Sequence, residues 1–224
     1  MEPLIQHQWN ISEIEAINLQ KMLAKKVIKE DQFAKISYVA GVDVAYCKHS
    51  DNIVAAIVIL EADSLHVVES VAVQDTVVFP YVPGLFSFRE LPPIVKAFRQ
   101  LKTPPQLIVC DGQGIAHPRR FGLASHLGVL FDIPTIGCGK TRLVGEFQEP
   151  ELKRGSHSLL IDAGEVIGGV LRTQDNIKPI FVSIGHRISL TTACAWILKL
   201  SPKFRLPETT RQADQLVNKI LGNN

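Results

Sequence analysis

Three carboxylates in this chain of 224 residues stand where a carboxylate is costly. Asp43 interrupts the apolar run VAGVDVAY, and Asp111 ends the apolar LIVCD just before Gly112. Glu90 follows Ser87-Phe88-Arg89 at the start of a segment with helical character. An ionised carboxylate taken out of water needs a cation or several hydrogen bonds in compensation. Singly, each has a plain explanation. Asp43 can face solvent on an edge strand, Asp111 can cap the next turn, and Glu90 can close a capping box with Ser87. Together they suit other chemistry. If the first and fourth strands are neighbours at the sheet centre, Asp43 and Asp111 lie side by side and Glu90 enters from the intervening helix. Three or four convergent carboxylates form a hard-oxygen site for Mg2+ or Mn2+. Such a site serves two-metal phosphoryl transfer, one ion activating water and the other stabilising the leaving oxygen.

A second feature is FPYVPGLFSFRE, residues 79–90, which holds Tyr81 between Pro80 and Pro83 and follows them with Gly84. Proline holds φ at about −65° and donates no backbone hydrogen bond, so this tip resists collapse onto a sheet. A ring held this way can stack on a nucleic-acid base; the alternative is a loop tyrosine packed on its own surface. Gly112, Gly114, Gly122, Gly137 and Gly139 fall near strand ends. There they either admit a ligand close to backbone N–H groups or serve tight turns. Two phosphate-loop look-alikes fail. IGCGKT has Pro134-Thr135 where the earlier glycine of a P-loop belongs, and DGQGIAH has His117 in place of the third glycine of a dinucleotide fingerprint.

The elements that must position these residues follow from periodicity. Residues 11–31 carry a helical stripe of Ile11, Ile14, Ile17, Leu19 and Leu23, with Lys25, Lys26 and Lys29 toward the end. Runs at 37–46, 52–61 and 65–74 are β-rich and separated by short polar breaks, which predicts an antiparallel meander. A helix is expected over 88–101, with Pro92-Pro93 in its first turn or at a kink. Strands at 105–111 and 133–139 alternate with a helix at 121–130. Further β-rich segments lie at 158–172, around the turn Asp162-Ala163-Gly164-Glu165, and at 179–184; helices at 189–200 and 208–221 close the chain. The order predicts an α/β fold with a mixed sheet flanked by helices, in one domain spanning 1–224.

Composition agrees with an ordinary globular chain, 46% hydrophobic and 21% charged. The net charge of +2 gives only a weak lean toward polyanions, concentrated at Arg119-Arg120 and at Lys140 and Arg142. No apolar run approaches the roughly 20 residues needed to cross a bilayer, so no membrane partner is expected. The opening MEPLIQHQWN lacks a secretory pattern. Cys47, Cys110, Cys138 and Cys194 are scattered without a CxxC pair, which predicts reduced thiols and a cytoplasmic location.

VAGVDVAY, PYVPGLFSFRE, CDGQGIAHPRRFGLASHLG, TIGCGKTRL and LPETTRQAD together resemble the endonuclease V family of deoxyinosine-directed 3′-endonucleases. The resemblance spans about residues 35–220. It implies an RNase H-like fold and metal-binding acids at Asp43, Glu90 and Asp111, with Asp214 as a fourth position where some relatives carry histidine. It further implies that Pro80-Tyr81-Val82-Pro83 is a strand-separating wedge, with Val82 where isoleucine is frequent. Lys140 would approach the scissile phosphate and His117 would sit near the lesion or stabilise a turn. Gly84, Leu85, Gly112 and Gly122 would line a pocket offering backbone partners to hypoxanthine O6 and N1–H. The expected activity is Mg2+-dependent hydrolysis of the second phosphodiester 3′ of deoxyinosine in DNA, in DNA repair, with Mn2+ substituting and a monomeric enzyme. An inosine-specific ribonuclease and a non-cleaving nucleic-acid-binding module are the alternatives; the intact acids argue against the latter.

Overall fold

The computed structural model describes residues 1–47 and 50–222. Chain order runs through α1 (Glu13–Ala24), β1 (Tyr38–Tyr46), β2 (Asn52–Glu61), β3 (Val67–Thr76), α2 (Phe86–Gln100), β4 (Leu107–Cys110) and α3 (Leu123–Phe131). It continues through β5 (Thr135–Gly139), β6 (His157–Asp162), β7 (Glu165–Leu171), β8 (Ile180–His186), α4 (Leu190–Leu200) and α5 (Glu208–Gly222). The strands form one sheet in the order β3-β2-β1-β4-β5-β8-β7-β6. β1, β2 and β3 pair antiparallel, as the polar breaks between them predict. β4 joins β1 in parallel and β5 joins β4 in parallel, while β5, β8, β7 and β6 continue antiparallel.

The strands β2, β4, β5 and β8 are buried on both faces, which is why they read as almost unbroken apolar runs, while the edge strands β3 and β6 are largely exposed. Against one face, Leu91 and Ile94 of α2 and Leu127 of α3 pack on Val42, Ile57 and Ile108. Against the other, Ala193 and Ile197 of α4 join Val39, Val109 and Val182. Beside them, Ala213 and Val217 of α5 cover Val54, Val58 and Leu60. This is the expected RNase H-like mixed sheet flanked by helices. No helix among the described residues is long and apolar enough to cross a membrane.

Three local expectations are corrected. The first helix ends at Ala24, well short of residue 31. Beyond it the chain pairs with the end of β8: His186 Nδ1 accepts from Ile28 N–H, and the Ile28 carbonyl accepts from Arg187 N–H. Tertiary partners there outcompete the helical ladder, and Ile14 points to solvent while Ala16, Gln20 and Leu23 form the buried face. The second correction concerns Pro92-Pro93, which lie in the second turn of α2 because the helix begins at Phe86. The third removes the capping box from Ser87 and Glu90. Ser87 is already inside α2, whose N-cap Leu85 makes no side-chain cap. A capping box does occur, at Ser12 and Glu15 of α1.

Gly41 explains how α5 reaches the sheet centre. A Cβ there would lie 2.0 Å from the Thr209 carbonyl oxygen, so only glycine lets the start of α5 rest directly on β1. That approach carries Asp214 toward Asp43, which shares a face of β1 with Gly41. Gly41→Ala is therefore expected to cost about 2–3 kcal/mol of folding stability through overpacking. Chemical denaturation measures it; a variant as stable as the parent would show that α5 is free to shift.

Candidate active site

The chain enters the sheet at β1, builds β2 and β3 to one side, then crosses to β4 and β5 on the other. Ligand sites in open α/β sheets form beyond the carboxyl ends of strands at such a reversal of order. Register does the rest. Val42 is paired with Cys110, and Asp111 N–H donates to the Val42 carbonyl at 3.3 Å, so Asp43 and Asp111 are adjacent on neighbouring strands. Burial and the neighbouring Asp111 charge push the Asp43 carboxyl up to about 7. Glu90 enters from α2, and burial together with the charges of Asp43 and Asp111 pushes it up to about 7 as well. Asp214 on α5 adds its own repulsion to Asp43. Lys140, just past β5, places Nζ 2.6 Å from Asp111 Oδ2.

Two residues that sequence reasoning missed support Glu90. Tyr46, at the end of β1, donates its hydroxyl to Glu90 Oε1 at 3.0 Å. Arg89 stacks its guanidinium 5.0 Å from the Tyr46 ring centre and donates to the Phe79 carbonyl. Burial and the Glu90 charge push the Tyr46 phenol up, so it remains a donor. Nothing in the spacing of a tyrosine at a strand end marks it for this role.

Among the described residues, no three His, Cys, Asp or Glu side chains already share one coordination sphere. The donor set nevertheless fits a hard divalent cation. Its candidate ligands are all carboxylate oxygens, close enough for mutual repulsion to help raise two of them, and the one lysine beside them, Lys140, pairs directly with Asp111 and only partly offsets the charge at Asp43. A cation would compensate charges that this fold otherwise compensates with protons.

Beside the acids lies a cavity of about 360 Å³ lined by Gly84, Ser87, His117, Gly112 and Gly122, with Glu90, Asp111 and Lys140 at its edge. A Cβ at Gly122 would meet the Gln113 carbonyl at 2.3 Å, so backbone alone fits there. Gly84 has φ +80°, a conformation that glycine adopts without penalty. Its carbonyl accepts from three directions: Gln20 Nε2 at 3.0 Å, His117 Nε2–H at 3.0 Å and Arg119 Nη2 at 2.7 Å. His117 Nδ1 accepts from Arg119 N–H, so both ring nitrogens are engaged within the protein. Burial and the Arg119 charge lower this imidazole to about 4. His117 thus lines the cavity as a neutral support of the Gly84 turn.

The tip before this turn divides in two. Pro80, Tyr81 and Pro83 are exposed, with the Tyr81 ring at 65% of its full exposure and edge-on to Phe86 at 5.1 Å. Val82 and Leu85 turn inward and pack with Phe79 and Phe88. Leu85 is accordingly corrected from pocket lining to core, and Val82 is half-buried against the same cluster. Of the basic residues, Arg120 is taken up by Asp162 and Glu165 of the β6–β7 turn. Gln20 and Arg119, which hold the tip, carry no motif that would have revealed them.

Comparison with known proteins identifies the family. The family model for Endonuclease V matches residues 21–215. The endonuclease V of Rippkaea orientalis is 54% identical over 204 residues, covering 91% of this chain and 89% of its own. The crystal structure of endonuclease V from Streptomyces avermitilis superposes with a TM-score of 0.92 at 47% identity, covering 100% of this chain and 99% of that one. Ciona intestinalis endonuclease V, solved in complex with a 23mer DNA containing an inosine followed by a ribo-adenosine, gives a TM-score of 0.85 at 30% identity. That match covers 95% of this chain and 99% of that one. By the length and closeness of these matches, and by the acids gathered at the β1–β4 junction, this chain belongs to the endonuclease V family of nucleases.

Proposed function

We propose that this chain recognises deoxyinosine in DNA and hydrolyses the second phosphodiester 3′ of it, leaving 3′-hydroxyl and 5′-phosphate ends, as a step in DNA repair. The observation that carries the reading is the adjacency of a backbone-lined cavity to a cluster of carboxylates. A base flipped into the cavity leaves its 3′ phosphates next to Asp43, Glu90 and Asp111. Extrusion costs a few kcal/mol, less at a mispair, and Tyr81 stands exposed to fill the vacated stack. In this reading the wall around Gly112 and Gly122 would exclude an exocyclic 2-amino group and so separate hypoxanthine from guanine.

Asp43, Glu90 and Asp111, with Asp214 as fourth member, are the residues that would hold Mg2+, with Mn2+ as a substitute. When bound, the ion supplies activation of water and stabilisation of the leaving oxygen. Lys140 keeps a positive charge beside Asp111, and in this reading it would meet a phosphate oxygen near the cut. Tyr46 holds Glu90 in one orientation by its hydroxyl. A second reading, cleavage of inosine-containing RNA, draws on the ribo-adenosine in the nucleic acid bound by the Ciona relative. The test is cleavage of matched DNA and RNA oligonucleotides, each with one inosine, in Mg2+, Mn2+ or EDTA, with the cut mapped to the nucleotide. Cutting in EDTA, or at a bond other than the second 3′ of inosine, overturns the reading.

Asp43→Ala and Asp111→Ala are each expected to abolish cleavage while binding of inosine DNA persists, because phosphate contacts elsewhere position the duplex. Near-normal cutting in Mg2+ by either variant would remove the acids from the chemistry. Tyr81→Ala should keep its melting temperature, since the ring is exposed, yet lose activity on paired duplex and much less on single strands. Equal losses on both substrates would refute the wedge.

Charge linkage gives a further expectation in metal-free buffer. The folded chain keeps protons on Asp43 and Glu90 up to about 7, whereas unfolded carboxylates lose them at about 4. Stability from this pair is fully present below the unfolded value and is lost as pH rises through about 7. His117, lowered to about 4, acts oppositely: its contribution is complete above about 6.5 and is lost as pH falls through about 4. Asp43→Asn should therefore flatten the loss between about pH 4 and about pH 7 in thermal melts with EDTA, and also remove the stabilisation produced by added Mg2+. A pH dependence identical to wild type across that window would show that Asp43 is not the group titrating.

A further inference from the structure

A chain of three side chains runs from the N-terminal segment into the base cavity. His7 Nδ1 lies 2.9 Å from the Gln8 carbonyl, His7 Nε2 lies 2.8 Å from His126 Nε2, and His126 Nδ1 lies 3.0 Å from Ser87 Oγ. His126 and Ser87 are buried, and Ser87 is part of the cavity wall. The segment carrying His7 is anchored by hydrogen bonds of Leu4 and Ile5 to the Leu130 carbonyl, so the first ring is held in register.

The direction of this chain follows from its far end. A carbonyl only accepts, so His7 Nδ1 must carry the hydrogen facing Gln8. A neutral imidazole has one N–H, which leaves His7 Nε2 as an acceptor. His126 Nε2 must then be the donor between the rings, and His126 Nδ1 becomes an acceptor in turn. Only the Ser87 hydroxyl hydrogen can fill it. Both rings are neutral in this environment, since burial lowers His7 and lowers His126 strongly. With its hydrogen committed to His126, Ser87 retains only lone pairs for anything else it meets.

We propose that the His7–His126 pair fixes Ser87 as a hydrogen-bond acceptor in the base cavity, where it selects bases bearing a ring N–H beside a carbonyl. The inference rests on the cavity being the base site of the proposed function and adds the side chain that distinguishes the base. Hypoxanthine presents N1–H, a donor that Ser87 satisfies. Adenine presents a bare N1, and two lone pairs facing each other in a buried site cost the full desolvation of both. Deamination of adenine thus creates the hydrogen that this wall is built to accept. Ser87 Oγ then reads the ring nitrogen. Ser87 contacts the base in this assignment, while His7 and His126 are positioning residues acting through it.

The first measurement reads the tautomers directly in the wild-type protein, by long-range proton–nitrogen correlation of the histidine rings near neutral pH. The hydrogen is expected on Nδ1 of His7 and on Nε2 of His126; a hydrogen on His126 Nδ1 overturns the proposal. The second uses single-turnover cleavage with excess enzyme at deoxyinosine and at 2′-deoxynebularine, a purine whose N1 is a bare acceptor. Ser87→Ala is expected to slow cutting at deoxyinosine about tenfold and leave nebularine unchanged or faster, as the loss of one hydrogen bond predicts. Ser87→Thr, which keeps the hydroxyl, should preserve the wild-type ratio. Equal losses on both bases in Ser87→Ala make Ser87 a packing residue and overturn the assignment. Wild-type protein that cuts neither base removes the proposed activity itself, and the selection with it; that outcome is distinct because it precedes any substitution.

Discussion

The hydrogen bond from Asp111 N–H to the Val42 carbonyl is short in reach but wide in consequence. It is the last rung of the parallel β1–β4 ladder, and it sets two carboxylates side by side at the carboxyl edge of the sheet. Everything around the site answers the repulsion that results. Lys140 moves onto Asp111, Tyr46 donates to Glu90, and Asp43 and Glu90 hold protons to about 7. The interior of the sheet absorbs the cost, since both its faces are covered and its central strands are almost wholly apolar. A register slip of one residue would turn Asp43 into the α2 layer and dissolve the cluster.

The second half of the site depends on a different economy, that of one saturated carbonyl. Gly84 takes donors from α1 through Gln20 and from the loop after β4 through His117 and Arg119. These contacts hold the turn beneath an exposed tyrosine whose neighbours Val82 and Leu85 are sunk in the core. The tip is therefore stiff at its base and free at its ring. Rigid support on one side and a cavity on the other leave the ring accessible without rearrangement of the sheet.

Much of the site was legible because charge in an apolar run is conspicuous. Asp43 and Asp111 announce themselves in VAGVDVAY and LIVCD, and the strand-helix alternation makes their adjacency a reasonable expectation. Glu90 was ambiguous, since its distance from Ser87 fits a capping box; the helix start at Phe86 resolved it. Tyr46, Arg89, Gln20 and Arg119 were not legible. Each acts through one contact with a residue distant in sequence, and no local spacing encodes such a partner. The overlong first helix has the same origin, because the competing hydrogen bonds come from His186 and Arg187 far along the chain.

Alternation and helical period depend on neighbours within a few residues, so the sequence by itself determined the kinds and order of the elements and the costly positions of three acids. The stiffness of the proline-flanked tip is likewise local, since proline carries its φ restriction wherever it stands. Tertiary structure alone decided what those residues meet. It chose the β1–β4 register, brought Asp214 toward Asp43 through the gap at Gly41, and turned Leu85 inward while leaving Tyr81 out. It also joined His7, His126 and Ser87 into one hydrogen-bonded chain, which spans an N-terminal segment and two helices. These are close contacts between segments far apart in the chain, and their strength depends on distances of a few tenths of an ångström that no one-dimensional pattern carries.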